Sequence, residues 1–299
     1  MRQCWFLVCV ALSVPLISSA AAEPPPLRAC KVSSAFEYAR KNRELPVATR
    51  RKKPDGTLTL RVRTRTAEAD AWQEAFVEKE LPVARTAILI CDMWDKHWCS
   101  GATERVDALA KKMEPMLQAA RAKGIQIIHA PSETLDFYAE TPQRRRATLA
   151  PRVKMPKEKP PPDEPPLPID DSDGGCTSDE TEAYQAWTRQ HPAISIEEPD
   201  IISDNGREIY NYLAQEGITN VIYMGVHTNM CVLGRSFGIR RMSRLGVQCF
   251  LVRDLTDTMY DPRDPPYVSH DEGTELVVKH IEKYWCPSLT SEDLLAGLP

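Results

Sequence analysis

Cys231 ends the segment Gly225-Val226-His227-Thr228-Asn229-Met230-Cys231, which follows the apolar run Val221-Ile222-Tyr223-Met224 and leads into a helical pattern from Val232 to Leu245. A cysteine at a strand-to-helix turn has its sulfur near unpaired backbone N–H groups and the positive end of the helix dipole. That setting favours the thiolate, which is the nucleophilic form. Cysteine is also among the residues most often buried for structural reasons, so the reading needs a proton acceptor nearby. Asp92 is the candidate. It follows the continuous apolar run Ala87-Ile88-Leu89-Ile90-Cys91, the pattern of a strand buried on both faces. In an open parallel sheet, ligands bind beyond the carboxyl ends of the strands. If the two strands are neighbours, Asp92 and Cys231 share one crevice. The carboxylate then takes the thiol proton and later delivers it to a leaving group. Backbone N–H groups around Met230 and Cys231 would hold the developing oxyanion.

The elements that must place these groups are legible as alternating periodicities. Val106 to Ala122 has helical spacing and stops at Gly124, Ile125–His129 is a second strand, and Arg207 to Gln215 is a helix closed by Gly217. The strands Asn220–Met224 and Val247–Val252 follow, with a last helix over Gly273–Tyr284, and His270 and Asp271 read as its N-terminal cap. This alternation implies a parallel sheet covered on both sides. Thr141 to Thr181 interrupts it with a proline-rich, charged stretch that cannot offset its own ordering entropy but could fold over the sheet edge as a lid. Leu58–Arg63 alternates like a half-exposed strand.

Residues 1–22 have the build of an export signal: Arg2, an apolar core from Trp5 to Leu16, and small residues before Glu23. An N-terminal extension over 23–82 and one domain over 83–290, with the insert at 141–181, are expected. The formal net charge of −4, with both signs mixed, gives no reason to expect nucleic acid or an anionic membrane as partner. After signal removal seven cysteines remain: Cys30, Cys91, Cys99, Cys176, Cys231, Cys249 and Cys286. The odd number leaves at least one free thiol in an exported protein, and the pairing of the others stays open.

The ordered set of a strand-end Asp92, the motif Gly225-Val226-x-Thr228-x-x-Cys231-Val232, and Val252-Arg253-Asp254 resembles the isochorismatase-like cysteine hydrolases, which include nicotinamidases. The resemblance spans about Thr86 to Asp257. It implies a three-layer α/β/α sandwich with a mostly parallel sheet, Cys231 as nucleophile, Asp92 as general acid/base, and a cis peptide at Val226–His227 shaping the oxyanion hole. It implies no organic cofactor, and frequent self-association. One element departs from the family: its catalytic lysine has no counterpart in Ile196–Asp204. A lysine there would favour the thiolate, and Lys96 and Lys154 are the candidate substitutes.

Trp94, His97, Trp98 and Asn229 are candidates for the pocket wall, the tryptophans suiting a flat substrate. Asp95 and His97 lack metal-ligand spacing, so no metal is assigned. Asp170–Cys176 reads as a solvated acidic turn rather than a calcium loop. The expectation is an exported hydrolase of small amides acting through a Cys231 thioester. The alternative is an impaired relative that only binds a ligand or partner, motivated by the missing lysine.

Overall fold

The computed structural model describes residues 53–68 and 71–299. The export segment, Cys30 and most of the Arg50–Lys53 run lie outside these residues. Eight strands form one sheet: β1 (Thr57–Glu68), β2 (Ala71–Pro82), β3 (Thr86–Cys91), β4 (Gln126–Ala130), β5 (Ile201–Ile202), β6 (Asn220–Val226), β7 (Gln248–Asp257) and β8 (Ser288–Leu289). Their order is β2-β1-β8-β7-β6-β3-β4-β5. From β8 to β5 all neighbours run parallel, while β1 and β2 form an antiparallel hairpin joined to β8 through Arg63 and Ser288.

Among the described residues six helices accompany the sheet: α1 (Ser100–Ala122), α2 (Pro142–Thr148), α3 (Gly206–Glu216), α4 (Ile239–Arg244), α5 (His270–Tyr284) and α6 (Ser291–Ala296). Successive strand side chains point to opposite faces, and β3 divides accordingly. Leu89 joins a core with Ile209 and Leu213 of α3, Met242 of α4 and Val277 of α5. Ile88 and Ile90 join a second core with Val106, Met113 and Leu117 of α1. Covered on both faces, the sheet is the middle layer of an α/β/α sandwich, as the alternating pattern implies.

The alternating run at 58–63 is a half-exposed strand as expected: it lies within β1, with Leu58, Leu60 and Val62 buried in the second core and Thr59 and Arg61 exposed. Two other local expectations change. The helix expected over 232–245 is interrupted. A single π turn (Thr228–Val232) precedes α4, because the start of α3 packs against the chain between them: a Cβ on Gly206 would lie 1.9 Å from the Ser236 carbonyl oxygen. His270 is not the cap of α5. Ser269 is, in a capping box with Glu272.

The insert is laid onto the domain. Ile169 is buried, Met155 and Leu167 pack against the first core, and Glu164 bonds His280, Trp285 and Arg240. Irregular chain continues past Thr181, with no strand until β5.

The register of the two central strands sets the site. β3 and β6 are neighbours, with Cys91 opposite Gly225. Gly225 has φ +111°, and a Cβ there would stand 2.1 Å from the Cys91 carbonyl oxygen, so only glycine permits this approach. The chain then turns at Asp92 (φ +44°) beside the 226–231 loop.

Candidate active site

Asp92 and Cys231, 139 positions apart along the chain, meet in one cleft. The Asp92 side chain is fully buried. Its Oδ1 accepts the Ser132 backbone N–H at 2.8 Å, and its Oδ2 accepts Nε of Arg235 at 3.0 Å. The half-buried Cys231 thiol couples to this carboxylate through charge and a side-chain hydrogen bond. Burial pushes both pKa values up. The Asp92 carboxyl is raised by desolvation, against the opposing pull of Arg235 and Ser132. The Cys231 thiol is raised by desolvation and by Asp92, while Arg235 acts in the opposite sense. Burial thus favours the thiol form of Cys231, while Arg235 and the Ser132 N–H favour the ionised form of the carboxyl beside it.

The cation of this site is Arg235, not Lys96 or Lys154. Both lysines are exposed, and Lys96 lines a neighbouring cavity. Arg235 lies four residues beyond Cys231, its backbone N–H donating to the Cys231 carbonyl at 3.0 Å. Its guanidinium also reaches Glu133 at 3.4 Å. The signal that would have revealed it is the i, i+4 spacing, which puts two side chains on one helical face. Where the resemblance looks for a lysine, Asp200 instead binds Arg121 and His129. His129, at the end of β4, is fully buried and also bonds Gln190, so it anchors the irregular segment rather than entering the cleft.

The Val226–His227 peptide is cis. The His227 backbone N–H is directed at the Cys231 sulfur. The Met230 amide, by contrast, donates to the His227 carbonyl at 3.1 Å inside the π turn, which takes it out of the set of oxyanion donors. Met230 contributes its side chain to the cleft wall instead, and Val226 is buried in the second core. Asn229 is not a pocket residue. Its amide bonds Asp171, the Met259 carbonyl and the Met259 N–H, clamping the insert and the chain after β7 to the 226–231 loop.

The cleft over Cys231 has a volume of about 360 Å³. Trp94, His97 and Trp98 line it, and Trp187, from the irregular segment, joins them. Trp187 stacks on Trp94 with centroids 4.1 Å apart and an 11° interplanar angle. The edge of His227 meets His97 at 5.0 Å. Burial, then His97, drives His227 down to about 3, and burial, then Arg105, drives His97 down to about 4. Both rings are neutral at physiological pH. Asp95 is held by Thr188 at 2.6 Å and supports the segment carrying Trp187. A disulfide joins Cys99, just past Trp98, to Cys176 of the insert, and Cys91, Cys231, Cys249 and Cys286 are free thiols.

Residues 86–265 match the Isochorismatase domain family. Among solved structures, a cysteine hydrolase from Pseudomonas syringae pv. phaseolicola 1448A is 16% identical, with a TM-score of 0.47 over 73% of this chain and 94% of that one. An isochorismatase from Pseudomonas putida KT2440 is 15% identical, with a TM-score of 0.43 over 71% and 91%. An isochorismatase family protein from Burkholderia thailandensis is 18% identical, with a TM-score of 0.41 over 72% and 96%. Comparison with curated proteins finds no significant match.

Proposed function

The chain belongs to the isochorismatase domain family, and from that footing we propose that it is an exported cysteine hydrolase cleaving the C–N bond of a small amide through a thioester on Cys231. One observation carries the reading: a thiol in a cleft, coupled to a buried carboxylate that an arginine holds at 3.0 Å. As Sγ attacks the amide carbon, its proton passes to Asp92. The tetrahedral intermediate then collapses, the C–N bond breaks, and Asp92 returns the proton to the departing nitrogen. Water next gives a proton to Asp92 while its oxygen attacks the thioester. Collapse frees the carboxylic acid, and Asp92 restores the thiol.

Arg235 keeps the proton acceptor ionised and offsets the charge that builds on sulfur. The N–H groups of His227 and Cys231 are the donors proposed for the oxyanion. A cation beside Asp92 and Cys231 supports the hydrolase reading over the binding-only alternative, which the long insert also motivates. Export is supported by the signal-like residues 1–22 and by the Cys99–Cys176 disulfide, a bond that persists in oxidising compartments.

Alkylation by iodoacetamide followed by peptide mass mapping tests the proposal. Cys231 should label first among the free thiols, and an Asp92→Asn variant should label more slowly. Preferential labelling of Cys91, Cys249 or Cys286 would count against it.

A further inference from the structure

A second cavity of about 680 Å³ adjoins the cleft, and His97, Trp98 and Tyr184 line both. Its remaining wall is acidic. Glu104, Asp179, Glu180 and Glu182 face one ammonium, Lys96. The junction is itself open to a ligand. His97 is only 7% exposed, and its Nδ1 accepts the Cys99 N–H at 3.2 Å, which puts the ring proton of the neutral imidazole on Nε2. That Nε2–H has no partner among the described residues, and the ring borders both cavities. The junction thus presents an unmet donor between the cleft that holds Cys231 and an acidic chamber lined by two aromatic residues.

We propose that the adjoining chamber is a subsite for a positively charged arm of the substrate, so that the preferred amides carry an ammonium group several bonds from the scissile C–N bond. This rests on the hydrolase reading of the cleft. The cleft takes the acyl end, His97 offers a hydrogen bond to an acceptor on the chain passing the junction, and the ammonium lies among the carboxylates. Trp98 and Tyr184 line the chamber, and aromatic rings attract cations. Glu180 is partly committed to the Ser100 N–H at the start of α1, so Glu104 and Glu182 are the residues to vary.

Calorimetric titration of the full-length Cys231→Ser protein with three amides of matched length tests this: N-acetylcadaverine (cationic), N-hexylacetamide (neutral) and N-acetyl-6-aminohexanoate (anionic). The cationic amide should bind about tenfold more tightly than the neutral one, the scale that a few solvent-exposed charge pairs supply together, and the anionic amide should bind weakest. The preference should shrink at high salt and vanish in a Glu104→Gln/Glu182→Gln double variant. Equal or tighter binding of the neutral amide, survival of the preference in the double variant, or no binding of any of the three would overturn the inference. The wild-type protein separates the two claims. Amide turnover without charge preference sinks the subsite alone, whereas ranked binding without any turnover or Cys231 labelling sinks the hydrolase reading.

Discussion

Replacing Arg235 by methionine removes the cation while leaving much of its packing volume. Arg235 and Asp92 are 3.0 Å apart, the carboxylate has no exposure and the arginine side chain is 31% exposed. At an effective dielectric near 20, unit charges about 4 Å apart interact by roughly 4 kcal/mol. Partial exposure of the arginine screens this, so about 2–3 kcal/mol, or roughly two pKa units, is the figure to carry forward. Because Arg235 lowers the pKa of both Asp92 and Cys231, its loss raises both. Two units cut the thiolate fraction about a hundredfold, but a more basic thiolate is intrinsically more nucleophilic, with a Brønsted slope near 0.4–0.5. The net expectation is about a tenfold slower alkylation of Cys231 at neutral pH. The acid limb of the pH–rate profile should also move upward. Arg235→Lys, which keeps the charge, should recover most of the rate. The assay is the pseudo-first-order rate of iodoacetamide labelling at Cys231 from pH 5 to 9. Wild-type rates and an unmoved acid limb in the methionine variant would refute the electrostatic role.

Three other outcomes are expected. Asp92→Asn should lower kcat for any amide substrate about 10²- to 10⁴-fold, the usual contribution of a positioned acid/base, with circular dichroism showing the fold intact. Gly225→Ala should cost about 3 kcal/mol or more in urea unfolding, since its Cβ would meet the Cys91 carbonyl in a backbone conformation that disfavours alanine. His97 and His227 are buried neutral with pKa values near 4 and 3, below the unfolded value of 6.5. The unfolded chain therefore binds more protons once pH drops below 6.5. The stability is complete above that value and is lost as pH falls toward the folded pKa values. Each histidine should cost about 2 kcal/mol at pH 5 relative to pH 7. Urea melts at the two pH values check this, and His227→Asn should remove about half of the loss.

Asp92 and Cys231 could be read from the sequence because apolar runs mark central strands and polar strand ends mark the ligand side of a parallel sheet. Both signals are local. Arg235 stands away from the position of the family lysine, and only its i, i+4 spacing from Cys231 marks it in the sequence. Trp187 could not be found by any local pattern. It reaches the cleft only because Asp95 grips Thr188 and Gln190 bridges to Trp94, tertiary contacts with no periodicity behind them. Asn229 looked like a pocket residue from its position in the loop, yet its hydrogen bonds are spent on chain segments distant in sequence. The break before α4 had the same origin, because the approach of Gly206 to Ser236 overrode an intact helical pattern.

Because the proposed reaction passes through a thioester on Cys231, a covalent acyl group on that sulfur is the decisive observable. Rapid-quench peptide mass spectrometry with an activated acetyl anilide should find acetyl on Cys231, and should find it persisting longer in Asp92→Asn, which lacks the base for deacylation. Acetyl on another residue, or release of the aniline with Cys231 never modified, would contradict the account.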